Sequence, residues 1–321
     1  MTLAIETPQP RTAANLVLLL ALATLWGAAF TLIKIGVATI PPLTLIAART
    51  LIAGAILLAI MGLRGIAMPR DSAVWRRFMI QACLNSAIPF TLIAWAERHV
   101  DAGLATILGS NAPIFAFLLA LLFARHERPT LRQSLGVAAG LAGICLVVGV
   151  NALNGLGKDV VAELALVLAA VMYGAAALFG RNFNKLDPMV PAAGSMICGA
   201  VMLVPLSLIV DQPWTLTPSV NSIAALLALA VFSTAIAFVI YFKLIQSLGS
   251  VGATAQAYLR VPIGVALGVV FLGETLSPTV WIGLLCVVAG IAAMTIPQRA
   301  LRITPTNSWM SRRRVRSTPS R

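Results

Sequence analysis

Trp26-Gly27-Ala28-Ala29, followed by Lys34 and Pro41, returns as Tyr173-Gly174-Ala175-Ala176, followed by Arg181 and Pro188. The offset is 147 residues throughout, and it holds further along, where Glu127, Gly136 and Gly143 match Glu274, Gly283 and Gly290. The chain is one unit written twice. Each copy carries five apolar stretches, and a spanning helix needs about 20 apolar residues at about 1.5 Å of rise each. An odd number of crossings delivers the second copy to the membrane upside down relative to the first. Inverted repeats of this kind place a binding site at the repeat interface, near the bilayer midplane.

Composition agrees with the repeat. The chain is 60% hydrophobic and 10% charged, against about 25% charged in a soluble domain. So little polar surface suits lipid as solvent. Ten stretches qualify as spans: 15–34, 42–61, 76–96, 103–124, 132–150, 161–180, 190–210, 221–245, 252–272 and 279–296. Backbone groups in hydrocarbon must pair internally, which leaves helices or a closed barrel, and the runs lack the alternation of a barrel. The expectation is an all-α integral membrane protein of ten helices. Its parts are an N-terminal segment 1–14, a first repeat 15–150, a linker 151–160, a second repeat 161–296 and a basic tail 297–321. Ala21-Leu22-Ala23 mimics a signal cleavage site, but the repeat needs this helix as the counterpart of 161–180, so it reads as a retained anchor. Cys83, Cys145, Cys198 and Cys286 fall in four different spans, with no C-x-x-C pair. They read as small buried hydrophobes, and no metal site, cofactor motif or disulfide framework is visible.

The formal charge of +13 is distributed by side rather than by patch. Both termini and the even-numbered gaps hold 18 of the 23 lysines and arginines, the odd-numbered gaps hold only Lys34, Arg98 and Lys158, and Arg49 and Arg260 lie inside spans. The positive-inside rule then places both termini in the cytoplasm and the 151–160 linker in the periplasm. The tail, with Arg312-Arg313-Arg314, has no apolar periodicity and is expected to stay disordered against anionic lipid headgroups rather than on nucleic acid. The expected partners are the bilayer and a small-molecule substrate, for a monomer or homodimer.

Two five-helix halves, each with W/Y-G-A-A in its first helix and E-x8-G-x6-G across its fourth and fifth, resemble EamA-type proteins of the drug/metabolite transporter superfamily. Pro41-Pro42-Leu43-Thr44 leading to Ala48-Arg49, and Pro113 and Pro262 midway along each fourth helix, fit the same pattern. The resemblance covers 15–150 and 161–296. It departs at Gly180, where the first copy has Ile33, and at Met196, where the first copy has Arg49. It implies a multi-pass carrier of the bacterial inner membrane, commonly an exporter of amino acids or similar compounds. It also implies a cavity lined by the first, third and fourth helices of each half, with the fifth helices at the periphery. There Gly136-x3-Gly140-x2-Gly143 and Gly283-x6-Gly290 suit close packing.

All ten acidic residues fall at span ends or in loops, which argues against a membrane-carboxylate proton relay and against an intramembrane enzyme. Arg49 lies about 10 Å of helical rise inside its span and is expected to snorkel to the interface. Arg260 lies about 12 Å in, too deep to face lipid without cost, and is expected to face the cavity. It either receives a substrate carboxylate through its planar fork of donors or binds Gln256 and the carbonyl freed at Tyr258 by Pro262. Aligned on the prolines, Arg260 matches Asn111, so Ser110 and Asn111 oppose Tyr258 and Arg260. Asn85, with Ser86 and Pro89, joins them from the third helix, and Ser233 and Thr234 from its counterpart. Trp26 and Tyr173 are the matched aromatics. Side-chain amides in apolar helices need partners, which turns Asn85 and Asn111 inward.

The inversion places Lys34 and Glu274 at one mouth and Arg181 and Glu127 at the other. They form either two gate salt bridges that break alternately or four solvated loop charges. The leading reading is a secondary transporter moving a small organic solute, an amino acid or related carboxylate, outward by alternating access. The alternatives are a channel-like pore and a non-transporting sensor or assembly subunit.

Overall fold

Long apolar runs satisfy their own backbone as helices, and the computed structural model is helical wherever it has regular structure among the described residues, which are 10–96, 98–99, 108–123, 130–148, 157–260, 263 and 278–295. In chain order these are α1 (Pro10–Gly36), α2 (Pro42–Leu63), α3 (Ser72–Ala96), α4 (Ala112–Phe123), α5 (Leu131–Val148), α6 (Val160–Phe179), α7 (Met189–Val210), α8 (Val220–Thr254) and α9 (Pro278–Thr295). Six of the described helices, α1, α2, α3, α6, α7 and α8, are long and apolar enough to cross a membrane, and α4, α5 and α9 are shorter apolar helices. α1 starts before its apolar stretch, with Pro10 in the first turn, where a missing N–H costs nothing. α8 is broken at Gly249, whose φ of 76° and ψ of −179° leave the helical region, so the described start of the expected ninth span follows the eighth after a kink. A glycine tolerates that φ without strain.

Polar residues at the helix ends act as caps. Asp71 accepts from the Ala73 N–H at 2.8 Å at the start of α3, and Asp159 from the Ala162 N–H at 3.1 Å at the start of α6. Ser219 does the same for Ser222 at the start of α8. Each satisfies one of the four orphan donors of a helix N-terminus. Asp211, which closes α7, accepts from both the N–H and the hydroxyl of Thr44 at 2.8 and 2.7 Å, tying the end of α7 to the start of α2. The Ser222 hydroxyl donates to the Ile35 carbonyl at 2.8 Å and fixes the end of α1 against α8.

Between the ends, the helices pack through small residues, as expected where lipid tails are as apolar as leucine. α5 and α9 lie along one another. A methyl at Gly136 would stand 2.8 Å from the Gly290 carbonyl, and one at Gly143 would stand 2.6 Å from the Gly283 carbonyl. The two matched glycine pairs therefore oppose each other crosswise, which makes the helices antiparallel. α2 and α7, the second helices of the two copies, also run antiparallel, with Gly54 against Met196 and Ile197 and Gly199 against Thr50. The outer faces of α5 and α9 expose Leu131, Leu135, Trp281, Ile282 and Leu285.

Two wide turns interrupt the straight helices at matched places. α3 is π-helical over Cys83–Ala87 and α8 over Val231–Ile236, and Ser86 and Ser233 in these turns are related by the 147-residue offset. A π-turn shifts the register of every side chain beyond it. Both turns face the middle of the molecule, where the two copies meet.

Candidate functional site

The cavity between the copies has a volume of about 60 Å³, room for a handful of waters at about 10–15 Å³ of such space each. α1 contributes Trp26, Ala29 and Ile33; α3 contributes Asn85, Phe90 and Ile93; α4 and the residues just before it contribute Gly109 and Ala112. From the second copy come Leu166 and Tyr173 on α6, Tyr241 and Thr254 on α8, and Gln256, Ala257 and Arg260 beyond it. The wall is apolar apart from a few convergent polar groups, as small-molecule sites generally are.

Arg260 reaches this cavity. Its Nε and Nη2 donate to Gln256 Oε1 at 3.2 and 3.1 Å, and its guanidinium lies 5.5 Å from the centre of the Trp26 ring. α1 passes beside it, where a methyl at Gly27 would make only an ordinary contact, 3.9 Å from the Arg260 Cβ and Cγ. The Gln256 partner anticipated from the sequence is thus present. Pro262, invoked for a freed carbonyl, lies outside the described residues.

Arg49 does not snorkel. It is 2% exposed and lines the cavity. Its Nε donates to the Thr234 hydroxyl at 2.5 Å, its Nη2 donates to the Ser233 carbonyl at 3.2 Å, and its guanidinium stacks 4.1 Å over Phe90. Depth along the helix suggested an escape route to the interface. The lateral position of Arg49 removes it, because α2 aims the side chain between α3 and the π-turn of α8. The same Ser233 carbonyl accepts from the Trp26 indole at 3.0 Å, and the Ser233 hydroxyl donates to the Leu25 carbonyl at 2.7 Å. The Trp26 ring packs against Phe238 and Tyr241 at 5.9 and 5.4 Å. Tyr173, its repeat mate, packs against Phe90 at 6.4 Å and is close enough to both arginines to interact with each electrostatically.

Asn85 also lies in the wall. It is 1% exposed, and its Nδ2 is buried with no hydrogen-bond partner.

Three other candidates stand elsewhere. Tyr258 is fully buried behind the wall, its hydroxyl donating to the Val137 carbonyl at 3.2 Å. Its ring fills the space that a side chain at Gly140 would need. Asn111 begins α4, its carbonyl accepting from Ile114 and Phe115, and the cavity wall there is built from Gly109 and Ala112 rather than from Ser110 or Asn111. The proline alignment gave the stretch of helix that meets the cavity. Of the four mouth charges, Lys34 is exposed at the end of α1 and Arg181 is half-buried in the turn after α6. Glu127 and Glu274 lie outside the described residues, as does the tail. Described acids stand at helix ends, as Asp71, Asp159, Glu163, Asp187 and Asp211.

Sequence reasoning missed Phe90, Ile33, Tyr241 and Thr254 as wall residues. Phe90 follows Pro89, and that proline beside two polar residues was the available signal for a distorted helix facing the site.

Comparison with known proteins agrees with the geometry. The EamA-like transporter family model matches residues 14–149 and again 160–296. The chain is 29% identical over 279 residues, 87% of its length and 89% of the relative's, to an uncharacterized inner membrane transporter, YedA, of Escherichia coli. It is 30% identical over 298 residues, 92% and 94% of the two lengths, to a probable terminal-alkyne amino-acid exporter of Streptantibioticus cattleyicolor. A solved crystal structure with 20% sequence identity superposes with a TM-score of 0.71, covering 88% of this chain and 97% of the other, a likeness of fold.

Proposed function

Because the chain belongs to the EamA-like transporter family, and is a multi-pass transporter of the bacterial inner membrane, we propose that it carries a small carboxylate-bearing metabolite, an amino acid or a close relative, outward by alternating access. In this reading ten helices form two inverted repeats with both termini in the cytoplasm, and the cavity between them is the transport site. The single observation that carries the proposal is Arg260. A guanidinium in a cavity wall that is otherwise mostly apolar offers a planar fork of donors that suits a carboxylate. The Trp26 ring on one side and the Gln256 amide on the other hold the fork in place. The likeness to a probable amino-acid exporter supports both the solute class and the direction.

Antiparallel packing of the matched pairs α2/α7 and α5/α9 supports the inversion, and the 18-to-3 division of basic residues supports the cytoplasmic termini. The mouth charges enter the proposal as alternating gates, Lys34 with Glu274 and Arg181 with Glu127. Opening one mouth while the other is closed is what distinguishes a carrier from a pore.

Counterflow in proteoliposomes, run with and without a pH gradient, tests the reading. Saturable exchange of carboxylate-bearing solutes is expected, with at least a tenfold loss of apparent affinity in Arg260→Gln, the order of one buried hydrogen bond to a charged group (about 1.5–3 kcal/mol). Flux without counterflow, or unchanged affinity in a monodisperse Arg260→Gln protein, overturns it.

A further inference from the structure

We propose that the cavity has a second anion-recognising pole, formed by Arg49 and Asn85, and that the solute is compact and carries two carboxylates, one at this pole and one at Arg260. The inference rests on the carboxylate reading above and narrows it.

Arg49 brings a second positive charge into the wall, and no described wall residue offsets it. Two of its donors are spent on the π-turn of α8, and its plane is held against Phe90. The charge is therefore presented in one fixed pose, with little left to order when a solute arrives. Asn85 supplies an unmet donor, since its Nδ2 is buried in the same wall without a partner. A buried donor left unpaired is costly, and an arriving oxygen recovers that cost. The two groups are neighbours because of the π-turn over Cys83–Ala87. Its wide i→i+5 turn brings Asn85 and Phe90 onto one face of α3, and Phe90 lies directly under the Arg49 guanidinium.

Trp26 separates this pole from the other. Its indole N–H shares the Ser233 carbonyl with Arg49, while its ring lies under Arg260. Arg49 thus meets the indole at its N–H edge and Arg260 stands near its ring. Both guanidiniums line the one cavity and both neighbour Trp26, so a short solute suffices to join them. The repeat adds an orientation. The second copy has Met196 in place of Arg49 and Phe232 in place of Asn85, so the pole has no mirror image and the solute enters in one sense only.

A matched four-carbon series tests this in proteoliposomes of the full chain. Butanoate, succinate and 4-aminobutanoate share one carboxylate and differ at the far end, which is apolar, anionic or cationic. Succinate is expected to exchange at least about tenfold better than butanoate, with 4-aminobutanoate the poorest. Asn85→Leu and Arg49→Lys should each lower succinate exchange by a larger factor than butanoate exchange, whereas Arg260→Gln should weaken both by the same factor. Asn85→Leu removes a donor that bonds nothing in the folded protein, whereas Arg49→Lys keeps the charge but gives up the bonds to Thr234 and Ser233, so its melting temperature is measured beside its exchange and Asn85→Leu carries the test. Equal exchange of succinate and butanoate by the wild type, or equal loss of both in Asn85→Leu, overturns the second pole alone. Failure to exchange any of the three overturns the carboxylate reading as well.

Discussion

Replacing Gly143 by alanine should damage the fold, while the same change at Gly54 should not, although both glycines lie in helix–helix seams. At Gly143 an added methyl would stand 2.6 Å from the Gly283 carbonyl and 2.7 Å from the Val287 nitrogen. Both are backbone atoms of α9, so no rotamer change relieves the overlap and the helices must separate. Overpacking costs about 1–3 kcal/mol, and backbone on two sides places this site at the upper end. The better helix propensity of alanine returns up to about 1 kcal/mol. The net expectation is a loss of about 2 kcal/mol. At Gly54 the nearest atoms to the methyl are 3.5 Å away, an ordinary contact, so the propensity term stands alone and the variant gains up to about 1 kcal/mol. Thermal melting in detergent, followed by unmasking of the cysteines, measures both. Opposite shifts are expected. Equal shifts of the same sign would refute the claim that backbone contact between α5 and α9 is what the matched glycines serve.

Trp26→Phe removes the indole N–H from the Ser233 carbonyl, which keeps its bond from Arg49, and it leaves a ring against Phe238 and Tyr241. It should cost about 0.5–1.5 kcal/mol, against about 3–5 kcal/mol for Trp26→Ala, read as the difference between their melting shifts. Asp211→Ala should cost about 1–3 kcal/mol, because the Thr44 N–H and hydroxyl lose a charged acceptor at the start of α2. Combining it with Thr44→Ala should cost clearly less than the sum of the two, and strict additivity in that cycle would show that the Asp211–Thr44 clamp holds nothing.

The repeat was legible in the sequence because it rests on signals that survive without coordinates, whereas the lining helices came from the family resemblance. Gly136, Gly143, Gly283 and Gly290 stand at one offset, and a small residue recurring in an apolar helix has packing as its main physical use. Side-chain direction was less legible. Asn111 and Tyr258 were placed by counting from prolines, which fixes height along a helix and not rotation about it. A soluble helix reveals its inner face by a polar stripe on the outer one. α4, with the sequence APIFAFLLALLF, is apolar on every face and gives no such stripe. Arg49 shows the same limit from the other side. Its height along α2 follows from counting residues, but its partners belong to a π-turn near residue 233 that no local sequence rule announces.

That π-turn also explains how a duplicated backbone comes to hold an unduplicated site. The 147-residue repeat supplies each structural device twice, with wide turns at Ser86 and Ser233 and aromatics at 26 and 173. Beyond Ser86 and Ser233, the polar side chains around these turns differ between the copies, as Arg49 against Met196 and Asn85 against Phe232 show. The turn in α8 is tied to the first copy by Trp26, by Arg49 and by its own Ser233 hydroxyl, so its polar groups are spent on holding α1 and α2 in place. The turn in α3 lies against Gly199 of α7, the second copy has Met196 in place of Arg49, and the Ser86 hydroxyl turns back to the Ala82 carbonyl of its own helix. Asn85 is left with an unmet donor in the cavity wall. One turn is built for rigidity and the other retains capacity to bind. A homodimer of single repeats must treat its two turns alike. Fusing the copies into one chain lets a pair of matched positions diverge, and Arg49 against Met196 and Asn85 against Phe232 are where this chain has diverged in the charge and polarity of its central cavity.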